Sequence, residues 1–499
     1  MSSDIGQVSN IFNEPQSDMK HDMSPEHSST IGLIDIGSNS IRLVIYRSEG
    51  RLPHPQFNER DVCRLGEEVG RTGYLGAAQM QLAFKSLHRF AEIARSSQVD
   101  ALEVFATEAV RRAHNSSDFI DKAEAILETH IRVISGHEEA MMSALGICSG
   151  FHDPVGLVAD LGGGSLELVP VETGKMIRKD MASSLPCGYL NKYSSNEISG
   201  YLDTLSWLET INPQRLYVVG GVWRAIATAY IYKRKPRIDI VHGFSMSLDQ
   251  LHQIMDKIDA RGGDIHGIPN ARRPSMSQAI RVIRVLMDKL SPSEIVFSAF
   301  GVREGILFDR LDLNLRYGDP LMEGAKEYAV MTTRFPHQGK VLARKIAPLI
   351  AHLKPSYQRL TVACCYLCDL VWLEHPDHRS RLALEKMLGL SVVGISLAER
   401  VWMAAVLYTR YEGYMPKRKD FLALIPKADR KHAKSIGVLL RLFMTFSGGI
   451  PKVLEHVEIE ETKKGFTLHI DDDLIGSGDL VKRRVANANR SLPYKLTLS

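Results

Sequence analysis

An aspartate followed by a Gly- and Ser-rich turn occurs twice in this chain, and that recurrence constrains the fold more than any other feature. In DIGSNSIRLV (35–44) and DLGGGSLELV (160–169) the aspartate is followed by Gly at +2, Ser at +5, Leu at +8 and Val at +9. Apolar, β-branched residues flank each turn, so both segments read as strand, tight turn, strand. The copies stand 125 positions apart (35 to 160), far beyond the period of a solenoid. The spacing predicts a duplicated α/β lobe rather than a repeat array.

The rest of the chain fits around these two hairpins. Met80, Phe84, Leu87, Ala91 and Ala94 recur at helical spacing between Gly76 and Arg95. A strand running into a helix follows near Glu138, and LYVVGGVWRAIATAY and IVFSAFGVREGIL repeat a strand, Gly turn and helix. Beyond Pro320 strand signals fade and helical patterns dominate to about Leu442, before alternation returns near the end. A chain of 499 residues exceeds a single core. The expected organisation is a flexible tail over 1–30, lobes over 31–145 and 146–312, a helical domain over 313–440 and a small α+β module over 441–499.

Composition narrows the class. The apolar share of 44% and charged share of 24% are those of an ordinary globular protein, and no stretch approaches the ~18 apolar residues of a membrane helix. The first thirty residues lack the basic start and apolar run of a secretion signal. Six cysteines over this length do not resemble a disulfide framework, so a cytoplasmic location is expected.

A Gly- and Ser-rich turn between strands presents backbone N–H groups and hydroxyls with no side chain to block approach, which suits phosphate oxygens. One such turn is weak, because hairpins carry Gly for conformational reasons alone. Two matching turns, each headed by Asp, point to a shared ligand. The phosphate-binding candidates are Ser38, Asn39, Ser40 and Arg42 in the first turn and Gly162, Gly163, Gly164 and Ser165 in the second. At +7 the copies diverge, Arg42 against Glu167. With the turns facing one another, Arg42 would contact phosphate, while Asp35, Asp160 and Glu167 are the candidate ligands of Mg²⁺ or another divalent cation. The plainer alternative is an Arg42–Glu167 ion pair across the cleft.

ISGHEEA places Glu138 and Glu139 in a first helical turn, where acidic residues are favoured by the helix dipole without any function. Hydrolysis of a phosphoanhydride, however, needs a carboxylate to orient or deprotonate water.

These motifs resemble those of the exopolyphosphatase/guanosine pentaphosphate phosphatase family, in the actin-like, sugar-kinase and heat-shock-chaperone ATPase superfamily. DIGSNSIRL, ATEAVRRA (106–113), ISGHEEA (134–140), DLGGGSLEL, VVGGVWRAIA (218–227) and FGVREG (300–305) follow in family order over about 31–310. The resemblance implies duplicated actin-like, ribonuclease H-like lobes, Mg²⁺ dependence and release of orthophosphate from chain ends. It makes Glu138 the catalytic base, with Asp160 and Glu167 positioning water and metal and Arg111 facing the phosphate chain. It also implies a homodimer.

The helical region resembles the family's HD-phosphohydrolase-like domain less faithfully. The expected His-Asp pair reads Cys368-Asp369, and a later histidine is replaced by Glu412. His337, His375 and His378 remain, and Cys365-x-x-Cys368 has no second pair to complete a zinc site. A degenerate HD-like domain without a second hydrolase activity is therefore expected.

Between Lys417 and Lys434 seven lysines and arginines stand against Asp420 and Asp429. Lys417, Arg418, Lys419, Arg430, Lys431 and Lys434 are candidates for a polyanion channel, against the plainer reading of a solvated basic face. The leading expectation is an exopolyphosphatase acting on inorganic polyphosphate, with guanosine pentaphosphate as alternative substrate for the same site. An actin-fold kinase or ATPase, or a non-catalytic polyanion-binding protein, is the further alternative. No membrane and no specific nucleic acid is expected as partner.

Overall fold

The computed structural model describes residues 30–47, 50–234, 238–470 and 479–499. The tail expected over 1–30 lies outside them except for Thr30. Two compact units divide between Pro320 and Leu321.

The first unit contains two mixed sheets. In the first, β1 (Thr30–Ile36), β2 (Ile41–Arg47), β3 (His54–Asp61), β4 (Ala101–Ala106) and β5 (Ile131–Val133) lie in the order β3-β2-β1-β4-β5. In the second, β6 (Gly156–Leu161), β7 (Leu166–Glu172), β8 (Met176–Ile177), β9 (Ser183–Leu185), β10 (Arg215–Val219), β11 (Ser245–Met246) and β12 (Glu294–Phe297) take the order β11-β12-β10-β6-β7-β8, with β9 also on β7. Each sheet begins with an antiparallel hairpin, β1–β2 or β6–β7. Two parallel strands then extend each sheet from the first strand of its hairpin, β4 and β5 in one, β10 and β12 in the other. The sequence duplication is thus a duplication of topology.

Both faces of β1 are covered, which is why its sequence is apolar rather than alternating. Ile34 and Ile36 face Ala83, Leu87 and Phe90 of the helix Ala77–Ser96, whereas Leu33 packs with Val44, Phe105 and Ile306. Complete burial of Leu87 and Phe90 contributes roughly 1.5–3 kcal/mol for each. The helix Gly136–Gly150 starts at Ser135, whose hydroxyl accepts from the Glu138 N–H, and runs without a break past the expected boundary at 145.

The second unit is mainly helical, including Gln338–Ile350, Pro355–Tyr366, Leu397–Glu412 and Lys427–Ser447. The last of these continues across the expected boundary at 440. A three-stranded sheet follows, with β13 (Glu458–Thr462), β14 (Gly465–His469) and β15 (Lys495–Leu498) in that spatial order. No helix among the described residues is long and apolar enough to cross a membrane. All six cysteines are buried and none forms a disulfide.

Candidate active site

The two Asp-headed turns are built alike. Asp35 stands opposite Arg42 across β1 and β2, and Asp160 stands opposite Glu167 across β6 and β7. The Gly37 N–H donates to the Ser40 carbonyl at 3.1 Å, and the Gly162 N–H to the Ser165 carbonyl at 2.9 Å. Loops that follow take up the other turn carbonyls: Gly66 donates to Ser38 at 2.8 Å and Leu190 to Gly163 at 2.8 Å. The amides of Ser38, Asn39, Gly163 and Gly164 meet no acceptor among the described residues, so each turn presents N–H groups to a ligand.

Both turns line one polar cavity of about 170 Å³. Asp35, Ser38, Asn39, Ser40 and Arg42 face it from one side, Asp160 and Gly162 through Ser165 from the other. A Cβ on Gly163 would lie 3.2 Å from the Ser38 Cβ, so the two turns meet at van der Waals distance. No Arg42–Glu167 ion pair forms. Arg42 donates to Asn58 at 2.7 Å, while Glu167 accepts from the Ser184 hydroxyl at 2.8 Å behind the cavity wall.

Glu138, the expected base, stands apart from these groups. It is not on the cavity; its carboxylate lies 3.3 Å from Arg132 on the outer side of the helix. The adjacent Glu139 lines the cavity instead. Successive residues of a helix differ by about 100° in direction, so only one of two neighbouring glutamates can face the cleft. Arg111 does not line this cavity either. It stands behind Glu139, with Nη1 3.2 Å from Oε2, and opens onto a neighbouring recess that includes Arg112 and Ser184. Burial raises the Glu139 carboxyl to about 8, Arg111 opposes the shift, and Asp160 adds to it. Asp160 is raised chiefly by burial, against the pull of the Ser143 hydroxyl that donates to it at 2.6 Å. Glu167 is raised well above the usual carboxylate range by burial and by Glu139 and Asp160.

The expected metal triad of Asp35, Asp160 and Glu167 is not assembled. Asp35 is bound by Arg303 at 2.7 Å, and Glu167 is 1% exposed and away from the cavity. Among the described residues no three His, Cys, Asp or Glu side chains are grouped to hold a metal. Asp160, a half-buried carboxylate beside the second Gly- and Ser-rich turn, has the donor chemistry of a Mg²⁺ site completed by ligand oxygens, since this ion commonly takes only one or two protein carboxylates.

Several site residues escaped sequence reasoning. Besides Glu139, the cavity takes Arg60, Arg224, Arg272 and Arg303. Arg303 lies in FGVREG, a block that was legible as a Gly turn entering a helix without its target being evident. Glu108 is buried between the turns, accepting from the Ser38 hydroxyl at 3.0 Å and from Arg112 at 2.7 Å. A Cβ on Gly164 would collide with its carboxylate.

Residues 44–314 match the Ppx/GppA phosphatase family, and residues 321–492 match "Exopolyphosphatase, C-terminal". The chain belongs to the Ppx/GppA phosphatase family. Within it, the chain is 25% identical over 309 residues to Exopolyphosphatase 1 of Mycobacterium leprae, covering 56% of this chain and 89% of that protein. Exopolyphosphatase 1 of Mycobacterium tuberculosis is 24% identical over 307 residues, covering 56% and 88%. In fold, the chain is similar to the crystal structure of an exopolyphosphatase from Cytophaga hutchinsonii, with a TM-score of 0.51, 23% identity and coverage of 56% of this chain and 97% of that one. An exopolyphosphatase-like protein gives a TM-score of 0.51 at 24% identity, covering 57% and 98%.

In the helical unit the Cys368-Asp369 pair is buried. Asp369 is 0% exposed and held by Arg334 at 3.0 Å and Arg410 at 3.4 Å. Two guanidinium groups thus satisfy the carboxylate. Of the basic run, Lys417, Arg418, Lys419 and Lys431 are exposed, and Lys434 is half-buried. Arg418 pairs with Asp420 at 3.4 Å, and Arg430 is half-buried, donating to the Ile425 carbonyl at 2.8 Å.

Proposed function

We propose that this member of the Ppx/GppA family is an exopolyphosphatase that removes the terminal phosphoryl group of inorganic polyphosphate, with Glu139 as the base. The observation that carries this reading is the convergence of both phosphate-binding turns, Asp160 and Glu139 on one cavity. The terminal phosphoryl rests on the free amides of the turns. Glu139 takes a proton from water as the water oxygen bonds to phosphorus, and the bond to the bridging oxygen breaks. Orthophosphate leaves, and the shortened chain carries away the bridging oxygen. Arg42 and Arg303 oppose the charge on the phosphoryl oxygens, where phosphoryl transfer relies on positioning and positive charge. Asp160 would hold Mg²⁺ together with substrate oxygens; when bound, the ion withdraws charge from the phosphoryl group.

Arg111 acts as a positioning residue for Glu139 rather than a direct phosphate ligand. The degenerate HD-like reading of the helical unit is supported by the Arg334–Asp369–Arg410 cluster, in which arginines neutralise the carboxylate. Six buried cysteines without a disulfide support a reducing, cytoplasmic compartment. The exposed lysines and Arg418 within 417–434 are the surface that would hold a long polyanion by many weak contacts.

Guanosine pentaphosphate is the alternative substrate for the same chemistry. The cavity, lined by five arginines and three carboxylates, suits the phosphate chain of either substrate. Orthophosphate release from long polyphosphate and from the nucleotide, compared at equal subsaturating concentrations, tests the reading. Faster turnover of the nucleotide would overturn the preference, and release from neither would overturn the activity.

A further inference from the structure

The helix Gly221–Tyr232 begins at the cavity with a concentration of positive charge. Gly220 and Gly221 form its open N-terminus, with no side-chain cap and no acidic residue in the first turn. The N-terminus of a helix carries partial positive charge and unsatisfied N–H groups, so it favours an anion and disfavours cations. Yet two arginines are placed there. Arg224 lies in the first turn and lines the cavity, and the Arg272 guanidinium lies so close over Gly221 that a Cβ at that position would collide with it. Arg60 of β3 faces the same cavity from the opposite lobe.

Arg272 is 9% exposed and its Nη1 has no hydrogen-bond partner. None of Arg60, Arg224 and Arg272 forms an ion pair among the described residues. By contrast, Arg303 is paired with Asp35. Burial lowers the proton affinity of Arg60 and Arg224; Arg272 repels both, and Arg303 repels Arg224 as well, against the pull of Glu304 and Asp160. Burying unpaired like charges is costly unless a ligand supplies the opposite charge.

We propose that Arg272, Arg60 and Arg224, with the N-terminus of the helix Gly221–Tyr232, form a distal phosphate subsite that binds a phosphoryl group of the substrate other than the one released. This rests on the polyphosphatase reading above and extends it. The glycine turn is occupied by a guanidinium, which leaves charge rather than an apolar slot for a base. The subsite therefore selects substrates by a second phosphoryl group at a fixed distance along the chain.

The test uses the full-length protein and inorganic polyphosphate chains of graded length, with initial rates of orthophosphate release for wild type, Arg272→Ala, Arg272→Lys and Arg60→Ala. In Arg272→Ala and Arg60→Ala, KM for long chains should rise about tenfold, the worth of one charge-assisted hydrogen bond. The change should fall mainly on KM rather than kcat, shrink for the shortest chain, and be partly rescued by the lysine. Arg60→Ala, on the other lobe, keeps the test valid should Arg272→Ala not fold. Unchanged KM in a folded alanine variant overturns the subsite. So does a kcat loss equal at all lengths, or an effect confined to inhibition by added orthophosphate. A folded wild type that releases orthophosphate from no chain instead overturns the polyphosphatase reading, and the subsite with it.

Discussion

Arg111 holds Glu139 from behind, with one nitrogen 3.2 Å from the Glu139 carboxylate and 2.7 Å from the Ile134 carbonyl. The carbonyl fixes the guanidinium, and the guanidinium fixes the carboxylate. Glu139→Gln should therefore lower kcat by ~10²–10⁴-fold, the usual worth of a general base. Glu138→Gln, which removes only an outward pair with Arg132, should leave kcat within about twofold, because exposed ion pairs contribute little. A comparable loss in Glu138→Gln would reassign the base.

The pH dependence follows from the same pair. A base raised to about 8 is mostly protonated at neutral pH, so kcat/KM should climb towards that value and then level off. Arg111 opposes the upward shift, so Arg111→Ala should move the limb to higher pH. Arg111→Lys should return it towards wild type. A limb near 4.5 in wild type would contradict the buried carboxylate.

Stability should change in the opposite direction to activity. Glu139 holds its proton more tightly when folded than its ordinary value of 4.5. Its contribution to stability is thus fully present below 4.5 and is lost as pH rises through about 8. Glu139→Gln should accordingly raise Tm relative to wild type at pH 8 and much less at pH 4.5. Thermal unfolding at the two values checks the sign.

Gly164→Ala should damage the site without removing a charged group. The new methyl would meet the Glu108 carboxylate, which Ser38 and Arg112 hold in place. Overpacking of this kind costs about 1–3 kcal/mol. Chemical denaturation should register that loss, and orthophosphate release should fall with it. Gly200→Ala, where the added carbon meets nothing within 4 Å, is the control.

Neutralising Lys417, Arg418 and Lys419 together should raise KM for long polyphosphate more than for tripolyphosphate, and flatten the dependence on salt. An equal effect on both lengths would remove the surface from the account.

The two turns were legible because their chemistry is local: Asp35 to Leu43 and Asp160 to Leu168 dictate the hairpins, and hairpin register carries residue +7 to the strand opposite. Their duplication likewise revealed two lobes of one topology. Helix phase was not legible. Glu139, Ala140, Met141, Ser143 and Ala144 are all buried, so no polar stripe tells which of two adjacent glutamates points inward. The arginines were hidden for another reason. Arg60, Arg272 and Arg303 come from separate stretches that only the tertiary fold brings to one cavity. Arg303 also pairs with Asp35 across 268 positions, a contact that no local pattern encodes.

Glu108 fixes more than a hydrogen bond. Its carboxylate is wedged between Ser38 of one turn and Gly164 of the other, and Arg112 braces it. A wedge of this kind works as a gauge block, setting the spacing of the jaws before any substrate arrives. Widening them would expose a buried carboxylate that Ser38 and Arg112, of its own lobe, hold in place. The cleft is thus suited to cutting identical units from a string one after another, a task that rewards constancy of gap over a large working stroke.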